Sequence, residues 1–171
     1  IESAQELMRH RGVRLLVVTG GGAVVKAAMA SGKRAICAGP GNPPVVVDET
    51  ANLEKAGRDI VLGASTDNNI ICVDEKEVFA VASIADALLE SLARHGAWRL
   101  DASRLPDLER VIFESTAGPR RPGRIRKEWI GRDAGAILAN LGVSPPPETR
   151  LIVVETPAEH ALVWTEQMMP V

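Results

Sequence analysis

Hydrophobic residues along this chain alternate between short solid runs and helical spacings. Residues 2–10 are predicted to form a short amphipathic helix with Leu7 and Met8 turned inward. Val13 to Val18 is an unbroken apolar run of strand length, ending in Thr19-Gly20-Gly21-Gly22. Ala23 to Ala30 is helical and stops at Gly32, and Lys33 to Ala38 is a second strand. Strand, glycines, helix and strand in that order make a βαβ unit. A loop of two glycines and three prolines follows, Gly39 to Pro44, and then a third strand, Val45 to Val47.

Beyond the third strand the two periods keep alternating. Asn52 is placed to cap a helix running through Leu53, Ala56, Ile60 and Val61 to about Ala64. A polar stretch leads to the strand Glu77 to Val81. Ser83, with Asp86 three residues on, is read as the cap of a helix carrying Ile84, Ala85, Leu88, Leu89 and Leu92 on one face and ending at His95-Gly96. A short helix over 105–110, a short strand over 111–113, a loop over 116–124 and a helix from Asp133 to Leu141 come next. After the stiff connector Pro145-Pro146-Pro147, strands are expected over 151–155 and 161–164. The pattern as a whole predicts an α/β fold with helices packed on a mostly parallel sheet.

Composition agrees with one domain, or one with an appendage. The chain has 171 residues, 46% apolar and 25% charged, enough to bury a core. Aromatic residues are 3% and tyrosine is absent, so the core is built of Val, Ile, Leu and Ala. Twenty basic against 22 acidic residues give a net charge of −2, which argues against a nucleic-acid surface. No run approaches the roughly 18 apolar residues of a membrane span. No signal-peptide pattern opens the sequence, and two cysteines make no disulfide framework, so a cytoplasmic setting is expected. Ile1 enters a helical pattern with no initiator Met, and Val171 follows an apolar run and a proline. The chain is therefore expected to be a piece of a longer protein.

Cys72 is the first candidate for chemistry. It lies at a helix-to-strand junction, with Asn69 and Asn68 three and four residues before it. Such a junction can leave backbone N–H groups aimed at whatever the sulfur attacks, as thiol-based acyl chemistry requires. A buried structural cysteine is the alternative. Cys37, inside an apolar strand, is read as core. Thr19, Gly20 and Gly21 open a helix after a strand, where free N–H groups and a dipole end can meet a dinucleotide. The turn is neither a Gly-x-Gly-x-x-Gly fingerprint, since Val25 stands where its last glycine would be, nor a Walker loop. A tight structural turn is the competing reading. Glu166 sits after an expected strand, where α/β sites collect polar groups. His10, His95 and His160 have no metal-ligand spacing with either cysteine, and no metal site is expected. The run Arg120, Arg121, Arg124, Arg126 and Lys127 is a solvated loop or a docking patch for a polyphosphate.

Taken together, several segments resemble the catalytic domain of the aldehyde dehydrogenase superfamily, across nearly the whole chain. They are residues 17–21, Gly39 to Pro44, residues 47–51, Asp67-Asn68-Asn69-Ile70-Ile71-Cys72, residues 75–78 and Glu166-Gln167-Met168-Met169-Pro170. Within it the sequence looks like the CoA-acylating propionaldehyde and acetaldehyde dehydrogenases of propanediol- and ethanolamine-utilisation microcompartments. The resemblance implies a three-layer α/β/α catalytic domain spanning residues 1–171, with the N-terminal NAD-binding domain outside the chain. It implies that Cys72 attacks the aldehyde, with its own N–H helping to hold the oxyanion. It implies that Thr19, Gly20 and Gly21 lie beside the nicotinamide half of NAD, and that Glu166 holds the nicotinamide ribose. Hydrolytic relatives carry a general-base glutamate where this chain has Ala38, which favours CoA over water as the acyl acceptor.

The expected activity is conversion of a short aldehyde, NAD and CoA to acyl-CoA and NADH, with this piece inactive alone. Homo-oligomerisation and docking to a microcompartment shell are expected of the full-length protein, with no nucleic-acid or membrane partner. A hydrolytic dehydrogenase giving the free acid and a non-catalytic assembly module are the alternatives.

Overall fold

A computed structural model describes residues 2–171; Ile1, at the start of the first helical pattern, lies outside the described residues. The chain divides into two units, one up to Pro40 and one from Gly41 to Val171. The first holds α1 (Glu2–Arg9), β1 (Leu15–Thr19), α2 (Gly22–Met29) and β2 (Arg34–Ala38). β1 and β2 pair in parallel, from Leu15 opposite Arg34 to Thr19 opposite Ala38. This is the expected βαβ unit. Its small core is Met8, Leu16 and Ala28, with Val13, Val18, Ala27, Ala35 and Cys37 packed against it. Cys37 belongs to that core as expected, though it is half-buried rather than sealed. Leu7 is 61% exposed, against expectation. Adjacent residues on a helix project about 100° apart, so only Met8 of the pair can face a narrow core.

The second unit contains β3 (Pro44–Val47), α3 (Leu53–Ala64), β4 (Glu77–Ala80), α4 (Ala85–Arg94), β5 (Ala97–Arg99) and α5 (Leu105–Ile112). There follow β6 (Phe113–Ser115), β7 (Arg124–Ile125), α6 (Ala134–Asn140), β8 (Leu151–Val153) and the single turn α7 (Ala161–Trp164). β3 pairs with β4 and β5 with β8, both in parallel, while β6 and β7 are antiparallel. The fold is thus α/β with predominantly parallel pairing, and among the described residues the strands form two-stranded ladders.

One core of the second unit joins Val47, Ile60, Val61, Leu88, Leu92 and Leu151. It puts α3 and α4 over the two parallel pairs. Gly57 lets those helices touch: a Cβ there would fall 2.7 Å from the Ser91 Cβ and 2.9 Å from its carbonyl carbon. The other core gathers α5, α6 and β8 around Leu108, Ile112, Ile137, Leu138 and Ile152, and receives Met169 from the last segment.

Local caps explain which boundaries follow the sequence. The Asn52 side chain accepts the Lys55 N–H at 3.0 Å and starts α3 as expected. Ser83 does not cap α4. It lies in a 3₁₀ turn over Ala82–Ile84, and its hydroxyl donates to Glu49 at 3.4 Å instead. Residues 111–112 continue α5, so the strand expected over 111–113 begins only at Phe113. Residues 161–164 are a helical turn, not a strand. His160 Nδ1 accepts the Leu162 N–H at 3.2 Å, and the amide of Asn42 donates to the carbonyls of Leu162, Val163 and Thr165 at 3.0–3.1 Å. Four apolar residues carry no period of their own, so caps of this kind decide their conformation.

Candidate active site

Cys72 stands exposed on the turn between α3 and β4, as the helix-to-strand junction predicts. What shapes that turn is a run of three left-handed residues, Asp67, Asn68 and Asn69, with φ of 48°, 53° and 60°. Side chains other than glycine pay for this conformation, Asn and Asp least because they bond locally. The hydrogen bonds here are specific. Asn69 is fully buried, and its amide donates to the carbonyls of Ala64 at 2.8 Å and Glu75 at 3.0 Å. It therefore ties the end of α3 to the approach to β4. The Asn68 amide donates to the Gly131 carbonyl at 3.0 Å and to Asp133 at 2.9 Å. Beyond these anchors the backbone is open. Among the described residues nothing accepts the N–H of Cys72.

Lys76 reaches back into the same turn. Its ammonium donates to the carbonyls of Ile71 at 3.3 Å and of Asn69 and Asp74 at 3.5 Å. Burial pushes its pKa down, and the charges of Asp74, Glu166, Cys72 and Glu75 oppose that shift. Cys72 and Glu166, two residues singled out from the sequence, are thus gathered within electrostatic reach of one cation. Glu75 packs on Gly63 of α3, where a Cβ would collide with its carboxylate.

Glu166 is half-buried and follows a helical turn rather than a strand. Its segment is fixed on both sides. The Thr165 hydroxyl accepts the Gly123 N–H at 2.8 Å, and Met168 accepts the Gly131 N–H at 3.0 Å. Gly131 therefore bonds both to Asn68 of the cysteine turn and to the Glu166 segment. Asn42 adds a third tie: besides the three carbonyls at the end of α7, its amide donates to Glu77 at 3.2 Å. Burial raises the Glu77 pKa, and the bond from Asn42 works against that.

Thr19, Gly20 and Gly21 stand together in the first unit, at the turn from β1 into α2. The Gly20 N–H donates to the Ala38 carbonyl at 3.1 Å, which extends the ladder by one rung. Gly21 is the N-cap of α2 and offers no side chain, so the helix end is uncapped. A Cβ on Gly21 or Gly22 would meet nothing within 4 Å. The glycines here are not required by packing; they leave the helix start bare.

The histidines take supporting parts. His95 pairs with Glu54 at 2.8 Å and His160 with Glu109 at 3.0 Å. Of the basic run, Arg120 pairs with Glu159 and Arg124 with Glu114. Among the described residues no group of three His, Cys, Asp or Glu gathers as a metal site. Sequence reasoning missed Lys76, Asn42 and the buried role of Asn69. The signal for Asn69 was the Asp-Asn-Asn run itself, since these residues tolerate left-handed backbone. Nothing local marks Asn42, whose partners at the end of α7 lie 120 to 123 positions away.

Comparison with known proteins gives a consistent picture. The sequence model described as "Aldehyde dehydrogenase family" matches residues 1–104. The chain is 51% identical, over its whole length, to the acetaldehyde dehydrogenase (acetylating) EutE of Salmonella typhimurium, and covers 37% of that protein. Two solved structures each align with 99% of the chain. One is a Rhodopseudomonas palustris propionaldehyde dehydrogenase with bound CoA and an acylated cysteine, 45% identical with a TM-score of 0.81, of which 37% is covered. The other is a propionaldehyde dehydrogenase from the fucose utilisation microcompartment of Clostridium phytofermentans, 37% identical with a TM-score of 0.82, of which 38% is covered. The chain therefore spans little more than a third of the length of these relatives.

Proposed function

The chain belongs to the aldehyde dehydrogenase family, and we propose that it is the cysteine-bearing piece of a CoA-acylating member acting on acetaldehyde or propionaldehyde. One observation carries this reading: an exposed thiol, Cys72, on a turn locked by a buried amide, with its own N–H left without an acceptor among the described residues. That is the arrangement needed to attack a carbonyl and hold the oxygen that becomes negative. The acetylating relative and the neighbour with an acylated cysteine support it.

In the proposed reaction the Cys72 thiolate adds to the aldehyde carbon. A C–S bond forms, the carbonyl π electrons move to oxygen, and the Cys72 N–H donates to that oxygen. Bound NAD supplies the hydride acceptor for the oxidation step. Thr19, Gly20 and Gly21 fit the nicotinamide half of such a cofactor, because the bare glycine turn lets a ligand come against backbone. Glu166 is assigned to the nicotinamide ribose on the resemblance of Glu166-Gln167-Met168-Met169-Pro170. Oxidation leaves the acyl group on Cys72 as a thioester. The CoA thiolate attacks its carbonyl carbon and displaces the Cys72 sulfur, which gives acyl-CoA and restores the thiolate. A thiolate needs no base to activate it, whereas water does. Ala38, which by the resemblance stands where hydrolytic relatives keep their base, offers no carboxylate.

On this reading the cofactor-binding domain lies outside residues 1–171, and this piece alone is expected to be inactive. The full-length protein is read as a homo-oligomer housed in a bacterial microcompartment of the cytoplasm and docked to its shell. The origin of the Clostridium relative supports the microcompartment, and among the described residues no helix is long and apolar enough to cross a membrane.

The test is product analysis of the full-length protein with NAD, CoA and a series of short aldehydes. Acyl-CoA as the main product supports the proposal. Free acid at equal yield with and without CoA overturns it in favour of hydrolysis. No NADH with any aldehyde, together with an inert Cys72, overturns it in favour of a non-catalytic module.

A further inference from the structure

The contacts of Lys76 exceed what a surface lysine ahead of a strand requires. Its backbone is fixed by its N–H, which donates to the Pro43 carbonyl at 3.0 Å. Its ammonium then turns back over the cysteine loop and meets three carbonyls, those of Asn69, Ile71 and Asp74. The Ile71 contact is the shortest, and it bears on the chemistry. The Ile71 carbonyl and the Cys72 N–H belong to one peptide unit. In a trans peptide these two groups point in opposite directions, and the chain has no cis peptide among the described residues. A cation that holds the Ile71 carbonyl therefore also holds the Cys72 N–H, aimed away from the ammonium. One other bond restrains the same carbonyl, the Asp74 N–H at 3.1 Å. With Lys76 removed, this peptide unit would be restrained from one side only.

We propose that Lys76 is a positioning residue: by clasping the Ile71 carbonyl it presents the Cys72 N–H as the donor to the oxyanion formed on the aldehyde. The inference rests on the assignment of Cys72 as nucleophile. The titratable groups around the ammonium are Asp74, Glu75, Glu166 and Cys72. Asp74 is buried with one carboxylate oxygen lacking a partner. The cation thus balances an acidic pocket while its donors act on backbone, and the second role is the one that bears on catalysis. An oxyanion donor matters only when a carbonyl oxygen gains charge, so it should not affect a thiol displacement at saturated carbon.

That distinction gives the test. Full-length K76M, K76Q and K76R proteins are compared with wild type in two reactions across pH 6 to 9. One is the single-turnover burst of NADH with propionaldehyde; the other is alkylation of Cys72 by iodoacetamide, located by mass spectrometry. K76M is expected to lose about tenfold to a hundredfold in the burst, less than the loss of a whole oxyanion donor. Its aldehyde KM should stay within about threefold of wild type, and its alkylation should fall by clearly less than the burst at every pH, since neither draws on the oxyanion. K76R, which keeps donors to the carbonyls, should recover most of the burst. K76Q covers the case in which K76M does not fold, and should fall between K76M and K76R. Equal loss in burst and alkylation overturns the proposal, because Lys76 would then only hold the thiol or the fold. A burst unchanged in K76M or K76Q overturns it as well. Failure of the underlying assignment looks different: a C72S protein run in parallel would keep the burst.

Discussion

Two turns in this chain leave backbone amides open, and they do so by opposite means. At the β1–α2 turn, Thr19 to Gly22, openness comes from what is missing. The N-cap is a glycine, no side chain caps the helix, and a Cβ at Gly21 or Gly22 would touch nothing. At the α3–β4 turn, openness comes from crowding elsewhere. Asn68, Asn69 and Lys76 spend their donors on the carbonyls of the loop and its neighbours, and the Cys72 N–H is left over. A glycine turn of the first kind can admit a large ligand that comes against its backbone. A strapped turn of the second kind can aim one N–H at one atom. On the proposed function, the first suits a cofactor and the second a reacting carbonyl.

The comparison breaks most completely at the thiol. Cys72→Ala in the full-length protein should reduce acyl-CoA formation below detection while the thermal melt stays within a few degrees of wild type, as expected for an exposed side chain. Wild-type NADH production by this variant would remove the chemical half of the contrast.

The straps come next in size. Asn69→Ala strands the Ala64 and Glu75 carbonyls and leaves a Cβ residue at a left-handed φ. A loss of about 2–4 kcal/mol is expected in denaturant unfolding. Asn69→Gly removes the same hydrogen bonds but suits the backbone, and should recover about 1 kcal/mol of that loss. Equal stability of the two variants would mean that the left-handed run does not shape the turn.

At the first turn, and at the end of β2 bonded to it through Gly20, the changes should act on chemistry more than on folding. Ala38→Glu supplies a carboxylate at the position of the hydrolytic base. Total turnover should fall and the ratio of free acid to acyl-CoA should rise, since even a poorly aimed base reaches part of the roughly 10²- to 10⁴-fold that a good one gives. Chromatography of products with and without CoA reads the ratio, and an unchanged ratio would remove the argument from Ala38. Gly21→Ala is milder. Its φ of −61° suits any residue and its Cβ meets open space, so stability should stay within about 0.5 kcal/mol of wild type. A methyl group on the bare helix start should raise the KM for NAD by roughly tenfold. A KM that does not move would make the glycines a plain turn.

The smallest effect concerns pH. Burial raises the pKa of Glu77 above its ordinary 4.5, so the folded state keeps that proton longer than the unfolded state. The stability it contributes is present below 4.5 and is lost as pH rises through the folded value. Glu77→Gln keeps the partner of Asn42 and removes the titration. Its stability should decline less steeply over that window in urea midpoints measured from pH 4 to 7. A slope equal to wild type would assign the pH dependence elsewhere.

How much of this was legible in the sequence depends on how far each determinant lies along the chain. The βαβ order, the Asn52 cap, the Leu88, Leu89 and Leu92 face of α4 and the junction that carries Cys72 all rest on residues within a few positions of each other. Period and capping declare themselves locally, so these were determined by the sequence itself. The helical turn at residues 161–164 was not, because its carbonyls are claimed by Asn42, over a hundred positions earlier. The three residues of β5 went unread because a strand that short has no period, and only pairing with Leu151 to Val153 defines it. The site divides the same way. The sequence placed a thiol after two asparagines. Tertiary structure decided that Asn69 would be buried as a strap and that Lys76 would turn back onto Ile71. It also brought Glu166 to the same cation from ninety positions away. Hydrogen bonds to backbone carbonyls carry no residue code at the acceptor end, so no pattern in the sequence can announce which carbonyl a distant side chain will take.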